Sequence, residues 1–130
     1  MANTATLIDT IPIRVGKIGP VYEYELNIDT TGTDLTVRDP AVATNRIWVV
    51  GIFFSESTAT NLTLKSGTTK SHTLELASNQ GITGFTDQNG FYFVTLPGDS
   101  LIIQSSAAIT TALGKDLVLR VVEGLAFNRG

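Results

Sequence analysis

The stretch VYEYELNID, residues 21–29, alternates without a break between two kinds of side chain. Its even positions are apolar or aromatic, and its odd positions after Val21 are charged or carry an amide. Successive side chains of a β-strand point to opposite faces, so this pattern predicts a strand with one buried face and one solvent face. We expect the buried face to carry Tyr22, Tyr24, Leu26 and Ile28.

Short apolar runs recur along the chain, and turn-forming residues separate them. The runs are RIWVVGIFF, NLTLKS, SHTLELA, FYFVTL, SLIIQS and DLVLRVVEGL. The stretch SSAAITTALG, residues 105–114, has two central threonines, and we interpret it as a loop rather than a helix. Many short strands with turns between them are typical of an all-β fold. We predict an antiparallel β-sandwich of jelly-roll type with about eight or nine strands.

A length of 130 residues predicts a single domain with one core. We assign residues 21–130 to this β-sandwich domain and residues 1–20 to an extended N-terminal arm, because prolines and glycines interrupt the arm. Two interpretations of the arm remain open. It is either the first edge strand of its own domain or an extended segment that adds a strand to a neighbouring subunit.

Three predicted strands, residues 47–54, 91–96 and 117–122, are apolar on both faces. The outer face of a sandwich sheet is polar in a monomer, so a second apolar face must be covered. Either the arm covers it or other subunits do, and three such strands favour a symmetric oligomer. For the contact between subunits we choose Phe53, Tyr92, Val94 and Val122.

Low charge and the absence of cysteine narrow the classes of function. Only 16% of the residues are charged, the formal net charge is −3, and no cluster of Lys or Arg is present, which disfavours nucleic-acid binding. Without cysteine, neither a disulfide nor a thiolate metal site is expected. No apolar run approaches the roughly 20 residues of a membrane span, and MANTATLIDT lacks the pattern of a signal peptide. We expect a soluble protein, made in the cytoplasm, with no nucleic-acid partner, no membrane contact and no cofactor.

The stretch LPGDSLII contains Gly98-Asp99-Ser100-Leu101, which has the form of the nucleophile signature of one family of serine esterases. A nucleophilic serine needs a histidine to take its proton and an acid to orient that histidine. The one histidine of the chain, His72, precedes Ser100, and the residues after Ser100 favour a strand rather than a helix. We therefore predict a turn before a core strand, no catalytic residue and no enzyme.

Two further features are candidates for a metal site. His72 shares a predicted strand face with Leu74 and Leu76, so we interpret it as a satisfied residue at the rim of the core. Residues 29–34, DTTGTD, lack the alternate acidic positions and the distal glutamate that a calcium loop requires. We interpret them as a plain turn and predict no metal site.

An aromatic platform for a sugar is a third candidate site. Trp48, Tyr22 and Tyr24 carry flat rings that could stack on the apolar face of a sugar. They alternate with other positions of the predicted core, however. We therefore favour core packing for these three rings.

Four segments between residues 60 and 123 have a recognisable order. They are NLTLKSGTT, LELASNQGITG, FYFVTLPGDSLIIQSSAAI and LVLRVVE. A strand ending in Lys-Ser-Gly is followed by an Asn-Gln-Gly loop, an aromatic strand, and Pro-Gly-Asp-Ser-Leu before a last pair of strands. This order resembles that of small virion structural proteins from tailed bacteriophages. The resemblance covers about half of the chain, and its motifs are turn and strand signatures.

The resemblance implies a capsid decoration or cement protein, located on the capsid surface of the virion. It implies that the partners are the major capsid protein and further copies of the chain, in a homotrimer. We expect the arm to contact the capsid through Leu7, Ile8, Ile11 and Ile13. Two alternatives stay open, namely a carbohydrate-binding β-sandwich and a structural protein of the tail or baseplate.

Overall fold

The computed structural model describes residues 3–11, 20–54, 60–76, 81–83, 93–108 and 117–124. Within these residues the regular secondary structure consists of β-strands alone, which confirms the all-β prediction for the described part. The strands are β1 Thr4–Ile11, β2 Val21–Asn27, β3 Leu35–Arg38, β4 Arg46–Phe54, β5 Thr60–Ser66, β6 Lys70–Leu76, β7 Gly81–Thr83, β8 Phe93–Val94, β9 Leu101–Ser105 and β10 Leu117–Gly124. Of the stretch interpreted as a loop, residues 106–108 are not helical, and residues 109–114 lie outside the described part.

The strands form two antiparallel sheets. One has six strands in the order β1-β2-β10-β4-β7, and β8 also pairs with β4. The other has four strands in the order β3-β9-β5-β6. The pairings are nested along the chain, because β2 pairs with β10, β3 with β9, β4 with β8 and β5 with β6. The chain therefore runs as one long hairpin that is folded into two sheets, with its tip at the β5–β6 turn.

Both sheets contribute to one hydrophobic core, an arrangement consistent with the predicted β-sandwich. The alternation predicted from VYEYELNID is confirmed, since Tyr24, Leu26 and Ile28 are buried in this core and Tyr22 packs against it. The four-stranded sheet contributes the fully buried side chains of Leu62, Leu64, Leu101 and Ile103. Each large apolar side chain buried in this way stabilises the fold by about 1.5–3 kcal/mol, so the shared core is the main source of stability.

A second apolar cluster, which we call the outer cluster, lies on the other face of the six-stranded sheet. Its buried members are Val21, Trp48, Val50 and Val122, and Ile11 and Val94 pack against them. In β4, Ile47 and Val49 belong to the shared core, whereas Trp48 and Val50 belong to the outer cluster. This explains why β4 is apolar on both faces. Because the outer cluster is buried within a single chain, its apolar side chains do not require a second subunit to cover them.

β1 is an edge strand of the six-stranded sheet and pairs antiparallel with β2. Its register is irregular between Leu7 and Asp9, which leaves Ile8 as an extra residue on this strand. Within one chain, residues 4–11 thus form an edge strand of the sheet, as the first of the two interpretations of the arm expects. Residues 1–2 and 12–19 of the arm lie outside the described part.

Candidate functional site

The Gly-Asp-Ser-Leu block lies in the connection between β8 and β9. Gly98 has a φ of 82°, a left-handed conformation that residues with a Cβ rarely adopt. Its N–H donates to the carbonyl oxygen of Asn45 at 2.9 Å, and a Cβ added to it would lie 2.5 Å from the carbonyl oxygen of Ala43. This turn is therefore packed, backbone against backbone, on the loop between β3 and β4.

Asp99 and Ser66 hold the other side of the same turn. The fully buried Ser66 donates its hydroxyl proton to Asp99 Oδ2 at 2.8 Å and accepts the N–H of Leu96 at 2.8 Å. The N–H of Gly67 donates to the carbonyl oxygen of Ser100 at 3.0 Å. These bonds join the turn to the end of β5, so the Gly-Asp-Ser-Leu block serves the structure of this end of the sandwich.

The Ser100 hydroxyl donates to a carboxylate oxygen of Asp39. His72 lies on β6, and its ring meets that of Phe93 edge-on, with 5.5 Å between the centroids. A serine nucleophile requires a base that accepts its proton, and in the serine hydrolases that base is an imidazole. Here the acceptor is a carboxylate, and the one imidazole of the chain packs against an aromatic ring instead.

We expect Ser100→Ala to lower the free energy of unfolding by about 1 kcal/mol, the contribution of one hydrogen bond. Any ester hydrolysis by the purified protein should stay unchanged. Urea denaturation and a p-nitrophenyl ester assay measure the two quantities, and Ser71→Ala, at an exposed serine of β6, is the matched control. Hydrolysis that disappears in Ser100→Ala and persists in Ser71→Ala would show that the block is catalytic.

A second polar network connects β2, β3 and β10. The side chain of Glu123 is 4% exposed, and its carboxylate accepts three hydrogen bonds. The donors are Arg38 Nε at 2.6 Å, the N–H of Ala41 at 2.6 Å and Asn45 Nδ2 at 2.8 Å. Arg38 also donates to Tyr24 Oη at 2.9 Å, and its guanidinium lies 3.9 Å from the centroid of the Tyr22 ring. This network, like the turn at Gly98, fixes the loop between β3 and β4.

The hydrogen bonds of the network keep both partners charged. Burial raises the pKa of Glu123, but bonds from Asn45, Ala41 and Arg38 outweigh it, so this pKa lies below its ordinary value. Burial lowers the pKa of Arg38, and its bonds to Glu123 and Tyr24 more than offset that, so this pKa lies above its ordinary value. Both pKa values therefore lie farther from neutrality than usual. General acid–base catalysis needs a group whose pKa lies near the working pH, so we assign this pair a structural role.

The three rings of the possible sugar platform do not present open faces. Trp48 is 3% exposed and Tyr24 is 7% exposed, which confirms core packing for both. The ring of Tyr22 is half-buried and is faced by the guanidinium of Arg38. Because a stacked sugar needs an accessible ring face, these residues do not form a platform in this conformation.

Asp29, Gly32 and Asp34 of the DTTGTD segment take part in hydrogen bonds of the fold. Asp34 Oδ1 lies 2.7 Å from Lys65 Nζ, and the N–H of Asp29 donates to Asn3 Oδ1 at 2.8 Å. Gly32 adopts a φ of 70°, as expected in a tight turn. Across the described ranges, no three or more His, Cys, Asp or Glu side chains come together where they could hold a metal ion.

The predicted capsid-contact residues differ in exposure. Leu7 and Ile8 are 47% and 37% exposed, and Val42, in the loop after β3, is 54% exposed. No other large apolar side chain in the described part is as exposed as these three. Ile11 packs against the outer cluster, and Ile13 lies outside the described residues. We call Leu7, Ile8 and the backbone of β1 that faces away from β2 the β1 edge.

The predicted subunit-contact residues are also distributed over different environments. Val122 is fully buried in the outer cluster and has no surface to offer a partner in this conformation. Phe53, opposite Val118 of β10, and Val94 are half-buried. Tyr92 lies outside the described residues.

Two features of the site have little or no signal in the sequence. Asn3 binds the turn after β2, because its Oδ1 accepts the N–H groups of Asp29 and Thr30, each at 2.8 Å, and its Nδ2 donates to the carbonyl oxygen of Thr30 at 2.9 Å. No pattern in the N-terminal sequence indicates this contact. For the network of Glu123, the one available signal is a carboxylate at the end of the apolar run LVLRVVE.

No protein-family model, no curated protein and no solved structure matches this chain. Among the described residues there is no helix long and apolar enough to cross a membrane. The geometry offers two polar networks that hold loops in place and one exposed apolar edge strand. Of these features, the β1 edge is the one suited to contact another protein.

Proposed function

We propose that this chain is a structural protein of a phage virion, which binds the outside of the capsid as a homotrimer and stabilises the shell. The observation that carries the proposal is the β1 edge. Edge strands of isolated domains commonly carry charges or proline that prevent pairing with other chains. β1 instead exposes Leu7 and Ile8 and has a single charged side chain, that of Asp9.

The β1 edge could contact another protein in two ways. Its apolar side chains can be buried against another protein, and its outward N–H and C=O groups can pair with an extended segment of that protein. An interface of standard size buries about 1,600 Å² in total, so Leu7 and Ile8 would form the centre of a larger contact. Binding to the assembled shell and not to free subunits would stabilise the shell by mass action.

The resemblance of residues 60–123 supports the same role. In the structure the four quoted segments contain all or part of each strand from β5 to β10, and Pro97-Gly98 is the turn before β9. The resemblance also supports the trimer. The strands that are apolar on both faces do not add to that support, because the outer cluster is buried within one chain. Phe53 and Val94, which are half-buried, are the candidates for the subunit contact.

We also infer that the topology is that of a jelly roll. What supports it is the nested pairing of eight strands, from β2 with β10 to β5 with β6, over two sheets. β1 then extends the sheet beyond β2, and β7 pairs with Ile52–Phe54 of β4, next to the segment Trp48–Val49 that pairs with β8.

Cosedimentation with expanded shells, assembled from the capsid protein of the same genome, tests the proposed function. We expect the protein to sediment with the shells at a fixed ratio of copies to capsid subunits, and the shells to resist heating better when it is bound. A folded protein that stays in the supernatant at all concentrations would contradict the proposal. It would then favour the tail or the sugar-binding alternative.

The double variant Leu7→Ser/Ile8→Ser should bind shells about 30-fold more weakly than the wild type. Burial of the two exposed apolar surfaces contributes about 2 kcal/mol to binding, and each 1.4 kcal/mol is a factor of ten. Val42→Ser is the matched control, because Val42 is an apolar residue in the loop after β3 and is at least as exposed as Leu7 and Ile8. Titration of shells with each variant measures the affinities. If the double variant binds as the wild type does, the β1 edge is not the contact.

A further inference from the structure

We propose that β1 is exchanged between copies of this chain, so that β1 of one copy pairs with β2 of a neighbouring copy. The inference rests on the homo-oligomer of the proposed function and adds how its subunits are joined. Exchange of one element around a ring closes a trimer without creating new contacts on the surface of each copy. The occupant of the β2 edge is thus a second copy of this chain.

The dock for β1 is specific for this strand. It consists of the edge of β2, which pairs with β1 over Thr4–Ile11, and of the turn after β2. In that turn the N–H groups of Asp29 and Thr30 both point to Asn3 Oδ1 at 2.8 Å, and the carbonyl oxygen of Thr30 accepts from Asn3 Nδ2 at 2.9 Å. A strand docked here gains these three bonds when it carries an asparagine directly before its first paired residue, as β1 of every copy does.

β1 is held to the sandwich mainly by its backbone. Six of its eight residues are exposed, and the other two, Ala5 and Ile11, pack against the shared core and the outer cluster respectively. Its remaining attachment is the hydrogen-bond ladder to β2 and the contact of Asn3. Because few side chains of β1 are interlocked with the body, the strand can leave and be replaced without repacking of the core.

The connection between β1 and β2 is longer than a hairpin needs. Ile11 and Val21 are paired directly, a separation of about 5 Å between Cα atoms, and two residues suffice for a hairpin turn. Here nine residues, 12–20, join them, enough to span about 30 Å when extended. The sequence places Pro12 after β1 and Pro20 before β2, and neither residue can donate to the ladder. This length and composition fit a link that reaches a neighbouring copy.

Exchange is also compatible with the proposed capsid contact. An exchanged β1 keeps its register on β2, so Leu7 and Ile8 remain exposed on the outer edge. Direct pairing of two β1 edges with each other would cover Leu7 and Ile8, which the capsid contact needs. Exchange is therefore compatible with the proposed capsid contact, whereas edge-to-edge association is not.

Cysteine cross-linking between two differently tagged variants, Thr6→Cys and Glu25→Cys, tests the exchange. Thr6 and Glu25 are direct partners across β1 and β2, and antiparallel partners have the Cα separation that a disulfide needs. The chain has no cysteine of its own, so no other disulfide competes. The variants are unfolded together, refolded together and oxidised, and the products are separated without reductant.

We expect a disulfide-linked heterodimer from the mixture and no cross-link from either variant alone. The double variant Thr6→Cys/Glu25→Cys should give covalent oligomers. If the mixture gives no heterodimer and the double variant runs as an oxidised monomer, β1 pairs within its own chain and the exchange is wrong. Thr4→Cys and Asn27→Cys, partners at the other end of the ladder, repeat the test if the first pair does not fold. A monomer locked in this way that still sediments with shells would overturn both the exchange and the homotrimer, while leaving the proposed binding to the capsid intact.

Discussion

Gly98→Ala should lower the free energy of unfolding by about 3 kcal/mol. A residue with a Cβ costs about 1–2 kcal/mol in the left-handed conformation that Gly98 adopts at a φ of 82°. The new Cβ would also lie 2.5 Å from the carbonyl oxygen of Ala43, so one of two backbone segments must move. Displacement of packed structure adds about 1–3 kcal/mol. Urea denaturation followed by the fluorescence of the buried Trp48 measures the loss.

Gly32→Ala is the matched control for this prediction. Gly32 also has a positive φ, of 70°, but a Cβ there would have nothing within 4 Å. It should therefore show the conformational cost alone, about 1 kcal/mol. If the two variants lose the same stability, the contact of Gly98 with the loop at Ala43 does not constrain the fold. The comparison also bears on the Gly-Asp-Ser-Leu block, because it measures directly how far its glycine is required for packing.

The sequence predicts which side chains point inward wherever one face is buried and the other is solvated. In β2 the period of two is enough to place Tyr24, Leu26 and Ile28 in the shared core. In β4 the period is lost, because the sheet is covered on both faces. From the sequence, the cover could be another subunit or the chain itself, and the outer cluster at Trp48 shows that it is the chain itself.

Contacts between distant parts of the chain have no comparable signal. Arg38 and Glu123 are 85 residues apart and belong to different sheets, so their pairing depends on the topology and not on local spacing. The exposure of Leu7 and Ile8 can be predicted from the sequence, because a mostly apolar segment that proline and glycine interrupt indicates an arm. Whether that arm pairs with β2 is decided by the ladder and by Asn3, which no local pattern predicts.

Glu123→Ala should also lower the free energy of unfolding by about 3 kcal/mol. The substitution leaves the guanidinium of Arg38, the N–H of Ala41 and the amide of Asn45 without their common acceptor. Removal of one partner of a buried ion pair typically costs about 3–5 kcal/mol, and the 18% exposure of Arg38 places this pair at the lower end. Urea denaturation at neutral pH measures the effect.

Glu23→Ala is the control for the Glu123 variant. Glu23 accepts from Arg120 Nε at 2.8 Å, but the side chain of Arg120 is 54% exposed, so solvent screens the pair. Its removal should cost less than about 1 kcal/mol. Equal losses in the two variants would mean that burial of the Arg38–Glu123 pair contributes nothing beyond an ordinary surface ion pair.

The stabilisation by Glu123 should depend on pH in a defined direction. Its pKa in the folded protein lies below the ordinary value of 4.5, so the folded state binds the proton less tightly than the unfolded state. The stabilisation is therefore complete above pH 4.5 and is lost as the pH falls through the lower pKa of the folded state. Unfolding free energies of the wild type and Glu123→Gln should differ most at neutral pH and converge in acid. A difference that stays constant from neutral pH to pH values well below 4.5 would show that the carboxylate charge is not what holds the loop between β3 and β4.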